Sequence, residues 1–320
     1  DLILNFGGPG GSGVGTLLNI APLLTDVFGS GVNLISFDPR GVNNTGPALD
    51  RFPNYSATKA IFESQNYRII ADTPDNIATQ FYLAESFGRW CDSVIGGPNG
   101  RQTTEAFSVQ PLEPLFPDRI GRFIPDGVAD GKGYYGGSWS KSLIDTDKVV
   151  EGLISSCLDA GKEACTLYED SFEAIEYRLS NILTRLKQHS IPVWDPAVVD
   201  VPALATFADW SQLPPSANKT SAPILFIGNK ADPVTPLVEA RRASTFFPDS
   251  GLVEINGIGH TSLGAPSQCA FKEMRKYLSG ASPLPFVSCK PDEVPFQNKL
   301  EGLALLTEIW RLKTLRGLVF

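Results

Sequence analysis

Two residues in the last third of the chain have the types and the spacing for acid–base chemistry. Asp232 comes just after the apolar stretch Pro223–Gly228, and His260 comes just after the next apolar stretch, Leu252–Ile255. Because consecutive parallel strands end at the same edge of a sheet, both side chains are expected at one carboxyl edge. There the carboxylate can fix the tautomer of the imidazole and stabilise the imidazolium that forms when the histidine takes a proton. The order of the pair predicts the last two members of a Ser–Asp–His triad.

Simpler interpretations exist for the acid and for the chain's other histidine. Asp232 taken alone is typical of a helix cap. His260 lies next to glycines beyond a strand, where a catalytic role is favoured. His189 falls in the polar end of a helical pattern and is predicted to be solvated.

A glycine-rich stretch near the start of the chain could bind an anion. Gly7–Gly13 follows the apolar run Leu2–Phe6 and precedes a helical pattern over Val14–Phe28. Glycines allow positive φ angles and close approach, so free backbone N–H groups can face a negative charge. The spacing fits a dinucleotide-binding loop, with Asp38 after a second strand as the ribose-binding acid. It also fits the oxyanion-hole loop of a hydrolase or an ordinary strand-to-helix turn.

Composition places the chain among acidic globular proteins. It has 320 residues, of which 42% are hydrophobic, and a formal net charge of -8 with a pI near 4.9. The acidic balance argues against nucleic acid and anionic membrane surfaces as partners, and no apolar run is long enough to span a bilayer. The sequence opens within an apolar strand, so we expect its folding unit to begin upstream of residue 1.

The five cysteines lack the spacing of a zinc site or of a C-x-x-C redox motif, and no metal is expected. Cys157 and Cys165 close a short loop, whereas Cys269 and Cys289 enclose a helical pattern and a proline-rich return. We predict one disulfide from each pair, with Cys91 left unpaired. Three N-glycosylation sequons lie in turn-like contexts, at Asn43, Asn54 and Asn218. Disulfides and sequons together favour a secreted, extracellular glycoprotein.

Hydrophobic periodicity divides the chain into an α/β core with a helical insertion. Strand and helix patterns alternate over residues 1–133 and again over 216–297, which predicts two parts of one core with a mostly parallel sheet. Amphipathic helical patterns dominate residues 134–215, which are predicted to form a helical cap. Residues 298–320 form a tail to which no role is assigned.

Six short motifs occur in order along the chain: Gly7–Gly13 (GGPGGSG), Phe37–Gly41 (FDPRG), Phe116–Arg122 (FPDRIGR), Asp126–Val128 (DGV), Ala231–Pro236 (ADPVTP) and Gly259–Thr261 (GHT). In this order they resemble the α/β-hydrolases of the prolyl-iminopeptidase and tripeptidyl-aminopeptidase-like type, over most of the chain from Leu2 to Phe296. The resemblance implies a secreted serine exopeptidase or related esterase that acts on a peptide or a small ester or amide without a cofactor. It implies Asp232 and His260 as catalytic residues on a TAP-like C-terminal segment, and the backbone N–H of Gly8 as the oxyanion donor.

The nucleophile of this family is missing from the sequence. The family carries Gly-x-Ser-x-Gly on a strand–turn–helix elbow shortly before the FPDR motif, and no Gly-x-Ser-x-Gly occurs in the chain. The stretch between Pro98 and Phe116 is too short, because a leading helix, a strand, the elbow and its helix need at least about 30 residues. The serines that could replace the nucleophile lack the elbow's context: Ser12, Ser86, Ser108 and Ser138.

The missing elbow also affects the predicted sheet. The elbow strand would lie at the sheet centre, between the strands Leu2–Phe6 and Phe123–Val128. The α/β-hydrolase core is therefore predicted to be incomplete, without this strand and without the N-terminal strands. We expect either a gap or a forced pairing between the two flanking strands, because unpaired buried backbone groups are costly. A lost coding segment is favoured over a natural inactive relative, since loss of activity needs only a changed nucleophile.

Three functions from different classes follow from these observations. The first is a secreted serine hydrolase by descent, an exopeptidase releasing N-terminal residues or short peptides, which is inactive as written because the nucleophile is absent. The second is a non-catalytic, hydrolase-like binding protein that keeps the pocket under the cap. The third is a nucleotide-binding oxidoreductase. Recognition of a free N-terminus needs acidic groups in the cap, for which the candidates are Glu169, Asp170, Glu173 and Asp209.

Overall fold

The structure, a computed structural model, describes residues 1–7, 11–39, 41–46, 78–79, 81–86, 89–90, 118, 121–131, 133, 139–188 and 219–296. These residues form two parallel sheets with associated helices and a separate pair of helices. The combination of helices and parallel strands confirms the predicted α/β class. None of the described helices is both long and apolar enough to cross a membrane.

The N-terminal unit consists of β1 (Leu2–Leu4), α1 (Gly13–Phe28) and β2 (Leu34–Ser36), and its two strands pair in parallel. α1 begins where the Ser12 hydroxyl accepts a hydrogen bond from the backbone N–H of Gly15 at 2.9 Å, as an N-cap residue does. The buried apolar residues of α1 recur at helical spacing on one face: Ile20, Leu23, Leu24 and Val27.

Within the described part of the chain, the two-stranded sheet is covered on one face. Ile3 and Ile35 lie opposite each other and are 67% and 43% exposed, whereas Leu4 and Leu34 pack against the core to which α1 contributes. Successive side chains of a strand point to opposite faces, so the exposed pair marks the uncovered face. Parallel sheets of α/β proteins are normally covered on both faces. Among the described residues, the β1–β2 sheet therefore has one of the two covering layers that such a sheet normally has.

A helical segment contains a 3-10 helix over Trp139–Leu143 and the α-helices α2 (Thr146–Ala160) and α3 (Phe172–Gln188). Cys157 and Cys165 form a disulfide with a Cα–Cα distance of 5.3 Å, which confirms the first predicted pair. The two helices pack around a small core of their own, formed by Ile154, Cys157, Cys165 and Ile175.

The C-terminal unit is built on β3 (Leu225–Ala231), β4 (Gly251–Ile258) and β5 (Val287–Cys289), which pair in parallel in that order. α4 (Leu237–Ser244) connects β3 to β4, and α5 (Thr261–Gly264) and α6 (Gln268–Leu278) connect β4 to β5. The apolar runs of β3 and β4 indicate strands buried on both faces. Four side chains at the centre of this unit are 0% exposed: Ile224, Ile227, Val253 and Ile255.

Two features of the C-terminal unit concern the ends of its strands. Cys269 and Cys289 form the second predicted disulfide, with a Cα–Cα distance of 5.6 Å, and so tie α6 to β5. The sequence analysis expects only a proline-rich return at β5, because three residues are too few to show a strand pattern. Between Asn229 and Ala231 of β3, the paired residue on β4 advances from Ile255 to Ile258. β4 thus carries one extra residue, a β-bulge.

The segment 121–131 lies beside β3, where the sequence analysis places Phe123–Val128. The carbonyls of Phe123 and Pro125 accept hydrogen bonds from the N–H groups of Leu225 at 3.2 Å and Ile227 at 3.0 Å. Regular bridging is limited to Asp126 and Ile227. Pro125 has no N–H to donate, which explains why the segment pairs without forming a full strand.

α1 and α6 hold the two sheets together. Residues of both helices contribute to one hydrophobic core, and the Arg275 guanidinium donates a hydrogen bond to the Val27 carbonyl at 2.8 Å. Within the described residues, β1 pairs only with β2, and the segment 121–131 pairs only with β3. The two edges that are predicted to flank a missing strand therefore do not pair with each other there.

Candidate active site

Asp232 lies immediately after β3 and is fully buried, with 0% exposure. Its Oδ1 accepts hydrogen bonds from the backbone N–H groups of Val234 at 2.9 Å and Thr235 at 2.8 Å. Its Oδ2 accepts from the Thr235 hydroxyl at 2.8 Å and from the backbone N–H of Thr261 at 3.1 Å. These four donors fix the position of the carboxylate independently of the histidine.

His260 follows β4 and lies against this carboxylate. Its Nδ1 is 3.0 Å from Oδ1 and 3.0 Å from Oδ2 of Asp232, and 3.1 Å from the Thr235 hydroxyl oxygen. An ionised carboxylate only accepts hydrogen bonds, so Nδ1 carries the proton and Nε2 is the basic nitrogen of the neutral ring. The His260 side chain is 37% exposed, so the ring is accessible to a reacting group. The structure thus brings the two residues of the predicted pair together.

The pKa of Asp232 lies below its ordinary value. Burial by itself raises the pKa of a carboxyl group, but hydrogen bonds from His260 and from the backbone of Thr235 and Val234 outweigh burial. Asp232 is therefore ionised at neutral pH, and its negative charge can stabilise an imidazolium.

Gly127 packs directly against the histidine. Its φ is +82°, and a Cβ at this position would lie 3.3 Å from His260 Cε1, 3.0 Å from Thr235 Oγ1 and 2.9 Å from Thr261 Cγ2. A positive φ is strained for residues with a side chain, and the contacts leave little room for one. Both conditions account for glycine in the DGV motif.

Asp126 is a second carboxylate at this sheet edge, and the sequence analysis gives it no role of its own. Its Oδ1 accepts a hydrogen bond from the backbone N–H of Ser262 at 2.9 Å, and its Oδ2 accepts one from the Ser262 hydroxyl at 2.6 Å. Burial raises the pKa of Asp126, against the opposing effect of these hydrogen bonds. The two residues are 136 positions apart in the chain, so no local pattern could indicate the contact.

Asp38 binds the start of α1, at the end of the glycine-rich stretch. The Oδ1 of Asp38 accepts hydrogen bonds from the Ser12 hydroxyl at 2.7 Å and from the Val14 N–H at 3.2 Å, and Oδ2 accepts one from the Asn43 amide at 3.1 Å. The Ser12 hydroxyl makes the largest contribution to lowering the pKa of Asp38. Partners within the chain thus use both oxygens, which does not support Asp38 as a ribose-binding acid.

Two of the four candidate serines are described. Ser12 is the N-cap of α1, and its hydroxyl is bound to Asp38. Ser86 is exposed within the helical stretch 81–86. The Ser12 hydroxyl is occupied as a cap, and Ser86 lies within a helical stretch, so neither has the setting of a nucleophile on an elbow.

Several predicted site residues cannot be compared with the structure. The predicted residues that lie outside the described part of the chain are Gly8, Asn54, Cys91, Ser108, Ser138, His189, Asp209 and Asn218. Of the other acidic cap candidates, Glu169 pairs with Arg178 at 2.9 Å, and Asp170 and Glu173 are exposed.

The helical segment meets the carboxyl edge of the C-terminal sheet. α2 packs against the end of β4, where a Cβ on Gly152 would lie 2.0 Å from Ile258 Cδ1. Nearby, the Lys141 ammonium is 3.0 Å from Asp130 and 3.4 Å from Glu239. Arg242 approaches the same two carboxylates, each at 3.3 Å. Two cations therefore balance two anions at this junction.

Residues 203–289 match the model of a family described as TAP-like protein. This match supports an α/β-hydrolase family. The matched range contains Asp232, His260 and the three strands of the C-terminal unit. No curated protein matches the sequence. The TAP-like match overlaps the predicted C-terminal part, residues 216–297, and begins within the predicted cap; it indicates a hydrolase domain.

Proposed function

We propose that Asp232 and His260 are two members of a serine-hydrolase triad, in which Asp232 is the orienting carboxylate and His260 transfers the proton. The observation that carries this proposal is the contact between His260 Nδ1 and both oxygens of Asp232, each at 3.0 Å, beyond adjacent parallel strands. In such a pair, the carboxylate holds the ring in the tautomer that leaves Nε2 free. Nε2 then takes the proton of an attacking hydroxyl and later returns it to the leaving group.

The chain as written is proposed to be a serine hydrolase by descent without its nucleophile. Gly-x-Ser-x-Gly is absent from the sequence, and Ser12 is already engaged as a helix cap. Without a nucleophile, only the oxyanion donor and substrate binding remain, and activity is expected to fall by about a million-fold. We propose that Gly8 supplies that donor and that residues 134–215 form the cap over the pocket.

The proposed enzyme type is a secreted exopeptidase acting on a peptide or a small ester or amide. Two disulfides in the structure are compatible with an extracellular location, since cytosolic thiols are kept reduced. The motif order resembles secreted aminopeptidases, and this resemblance supports release of N-terminal residues or short peptides. The sequons at Asn43, Asn54 and Asn218 support glycosylation.

Restoring the nucleophile tests the proposal directly. A strand–turn–helix segment with Gly-x-Ser-x-Gly is inserted between Pro98 and Phe116, and each protein is treated with a fluorophosphonate probe. We expect no labelling of the original chain and stoichiometric labelling of the inserted serine. Matched controls carry the same insert with its serine changed to alanine, or with His260→Ala, and both should remain unlabelled.

Two other outcomes would contradict parts of this proposal. Labelling of the original chain at one of its own serines would show that it contains a nucleophile. An inserted variant that folds but stays unlabelled would favour the non-catalytic binding protein. Sequencing the transcript across Pro98–Leu115 checks separately whether a coding segment has been lost there.

A further inference from the structure

We propose that Asn229 is a positioning residue for His260: its amide binds the backbone on both sides of the histidine and thereby holds the loop that presents the imidazole to Asp232. The inference rests on the proposed role of the Asp232–His260 pair. It concerns a residue in β3 that the motifs do not single out.

The side-chain amide of Asn229 joins β3 to the histidine loop. Its Nδ2 donates hydrogen bonds to the carbonyl of Gly259 at 2.7 Å and to the carbonyl of Thr261 at 2.6 Å. Gly259 and Thr261 are the residues directly before and after His260. An amide nitrogen has two hydrogens, so both are used. The reverse orientation would place an oxygen against two carbonyl oxygens, which fixes the assignment of nitrogen and oxygen.

The environment of Asn229 shows that packing alone does not explain an asparagine there. The residue is 0% exposed, in a strand that opens with three buried apolar residues, Leu225–Ile227. Among the described residues, its Oδ1 is buried without a hydrogen-bond partner. Asparagine is disfavoured in strands, and an unpaired buried acceptor is destabilising. The two hydrogen bonds from its amide to the loop around His260 offset this destabilisation.

The backbone held by Asn229 is strained. Thr261 has φ +61°, a left-handed conformation that is a genuine outlier for a β-branched residue. Its N–H donates to Asp232 at 3.1 Å, while its carbonyl accepts from Asn229. The peptide groups on either side of Thr261 are therefore bound by two buried side chains of the same strand end. Such strain persists only where the surroundings hold it in place.

The experiment measures the imidazole itself in the intact chain. ¹H–¹⁵N NMR distinguishes ring tautomers, and the chain has only two histidines, so His189→Gln assigns the signals. The original protein should show His260 protonated at Nδ1, with a slowly exchanging Nδ1 proton. Asn229→Asp keeps the shape but replaces the donor with an acceptor. It should mix the tautomers and speed exchange of that proton by about tenfold or more, through local opening of the loop.

A matched control separates positioning from general stability. Tyr277→Phe removes other hydrogen bonds, in which the Tyr277 hydroxyl donates to the Pro223 carbonyl at 2.6 Å and accepts from the Phe123 N–H at 2.8 Å. It should lower the melting temperature without changing the His260 signals. If Asn229→Asp does not fold, Asn229→Ser supplies the same comparison with a shorter donor.

A second substitution tests the route through Thr261. Glycine adopts a positive φ without strain, so Thr261→Gly should restore much of the Nδ1 signal in the Asn229→Ser protein. Unchanged His260 signals in the folded Asn229 variants, or no restoration by Thr261→Gly, would overturn the positioning role. If the original protein lacks the Nδ1-protonated signal, the Asp232–His260 pair itself is wrong, and the two failures are distinguished.

Discussion

Asp38 and Asp232 occupy equivalent places in two units of the molecule, since each follows a parallel strand as a buried carboxylate. Donors of the chain surround both, and the pKa of each lies below its ordinary value. Among the described residues, the partners of Asp38 are hydroxyl, amide and backbone N–H groups, whereas Asp232 has the His260 ring among its donors. Whether a carboxylate at a strand end can support acid–base chemistry thus depends on whether an imidazole is among its partners. The local sequence around the acid does not decide this.

The units also differ in how firmly they hold these acids. The strands on which Asp232 and His260 depend are buried on both faces, while one face of the β1–β2 sheet is exposed. A site that needs fixed distances is better supported by the covered sheet.

Truncating one isoleucine in each unit should have the largest effect. Ile227→Ala, at a 0% exposed position, should lower the free energy of unfolding by about 3–4 kcal/mol because it leaves a cavity. Ile3→Ala, at a 67% exposed position, should change it by no more than about 0.5 kcal/mol. Urea unfolding measures both. An equal loss from Ile3→Ala would show that the apparently open face is covered.

Removing the Cys269–Cys289 disulfide should come next in size. The cysteines are separated by 20 residues, so Cys269→Ser with Cys289→Ser should cost about 3 kcal/mol in loop entropy. Hydrogen exchange should then increase in β4 and remain unchanged in β1. The matched control is the Cys157–Cys165 pair, whose loss should leave exchange in β4 unchanged. Faster exchange in both sheets would mean that the two units unfold together.

Replacing each strand-end carboxylate should separate the two acids. Asp232→Asn should cost about 2 kcal/mol at neutral pH, because charge-assisted hydrogen bonds are lost, and Asp38→Asn about 1 kcal/mol, since its partners are more exposed. The measurement is urea unfolding with the His260 NMR signals followed in parallel. Only Asp232→Asn should alter those signals. A change of the imidazole in Asp38→Asn would contradict the separation.

The pH dependence of the same variants follows from the direction of the pKa shifts. A carboxyl whose folded pKa is lowered stabilises the fold fully above its unfolded pKa, near 3.8, and this stabilisation is lost as the pH falls further. The original chain should therefore lose stability below about pH 4, and Asp232→Asn should lose less over that range. Parallel acid-unfolding curves would contradict a lowered pKa of Asp232.

Asp126→Asn should have the smallest effect. The pKa of Asp126 is raised by burial, so ionisation between its unfolded and folded pKa values costs stability as the pH rises. Asparagine can still bind Ser262 through one acceptor and one donor, and the variant should gain up to about 0.5 kcal/mol at neutral pH. Melting temperatures at acid and neutral pH measure this gain, which should shrink in acid. A loss at neutral pH would show that the charge itself is needed.

The sequence predicts the parts of this fold that repeat a local pattern. Apolar periodicity locates α1, β3 and β4, although β3 and β4 each continue three residues beyond the predicted apolar stretch, and Asp232 and His260 could be found because each follows such a stretch. The disulfide pairs could be predicted because their loops are short.

Contacts between distant residues could not be predicted in this way. Asn229 directly follows an apolar stretch and Asp126 directly follows a proline, and the hydrogen bonds of both depend on which strands are neighbours. β5 is too short for a periodic pattern, and the end of α4 at Ser244 is set by the N–H groups of Thr245 and Phe246, which donate to carbonyls three residues back.

The β-bulge in β4 constrains the number of residues before His260 rather than their types. Side chains alternate between the two faces of a strand, so one extra residue reverses the face of everything that follows. The bulge lies before His260 in the chain. His260 is therefore on the opposite face from the one that it would occupy without the bulge. Deleting Asn256, an exposed residue whose amide donates to the Ser288 hydroxyl at 2.8 Å, is therefore expected to turn the imidazole away from Asp232. In this stretch the length of the chain is constrained even where its side chains are free to vary.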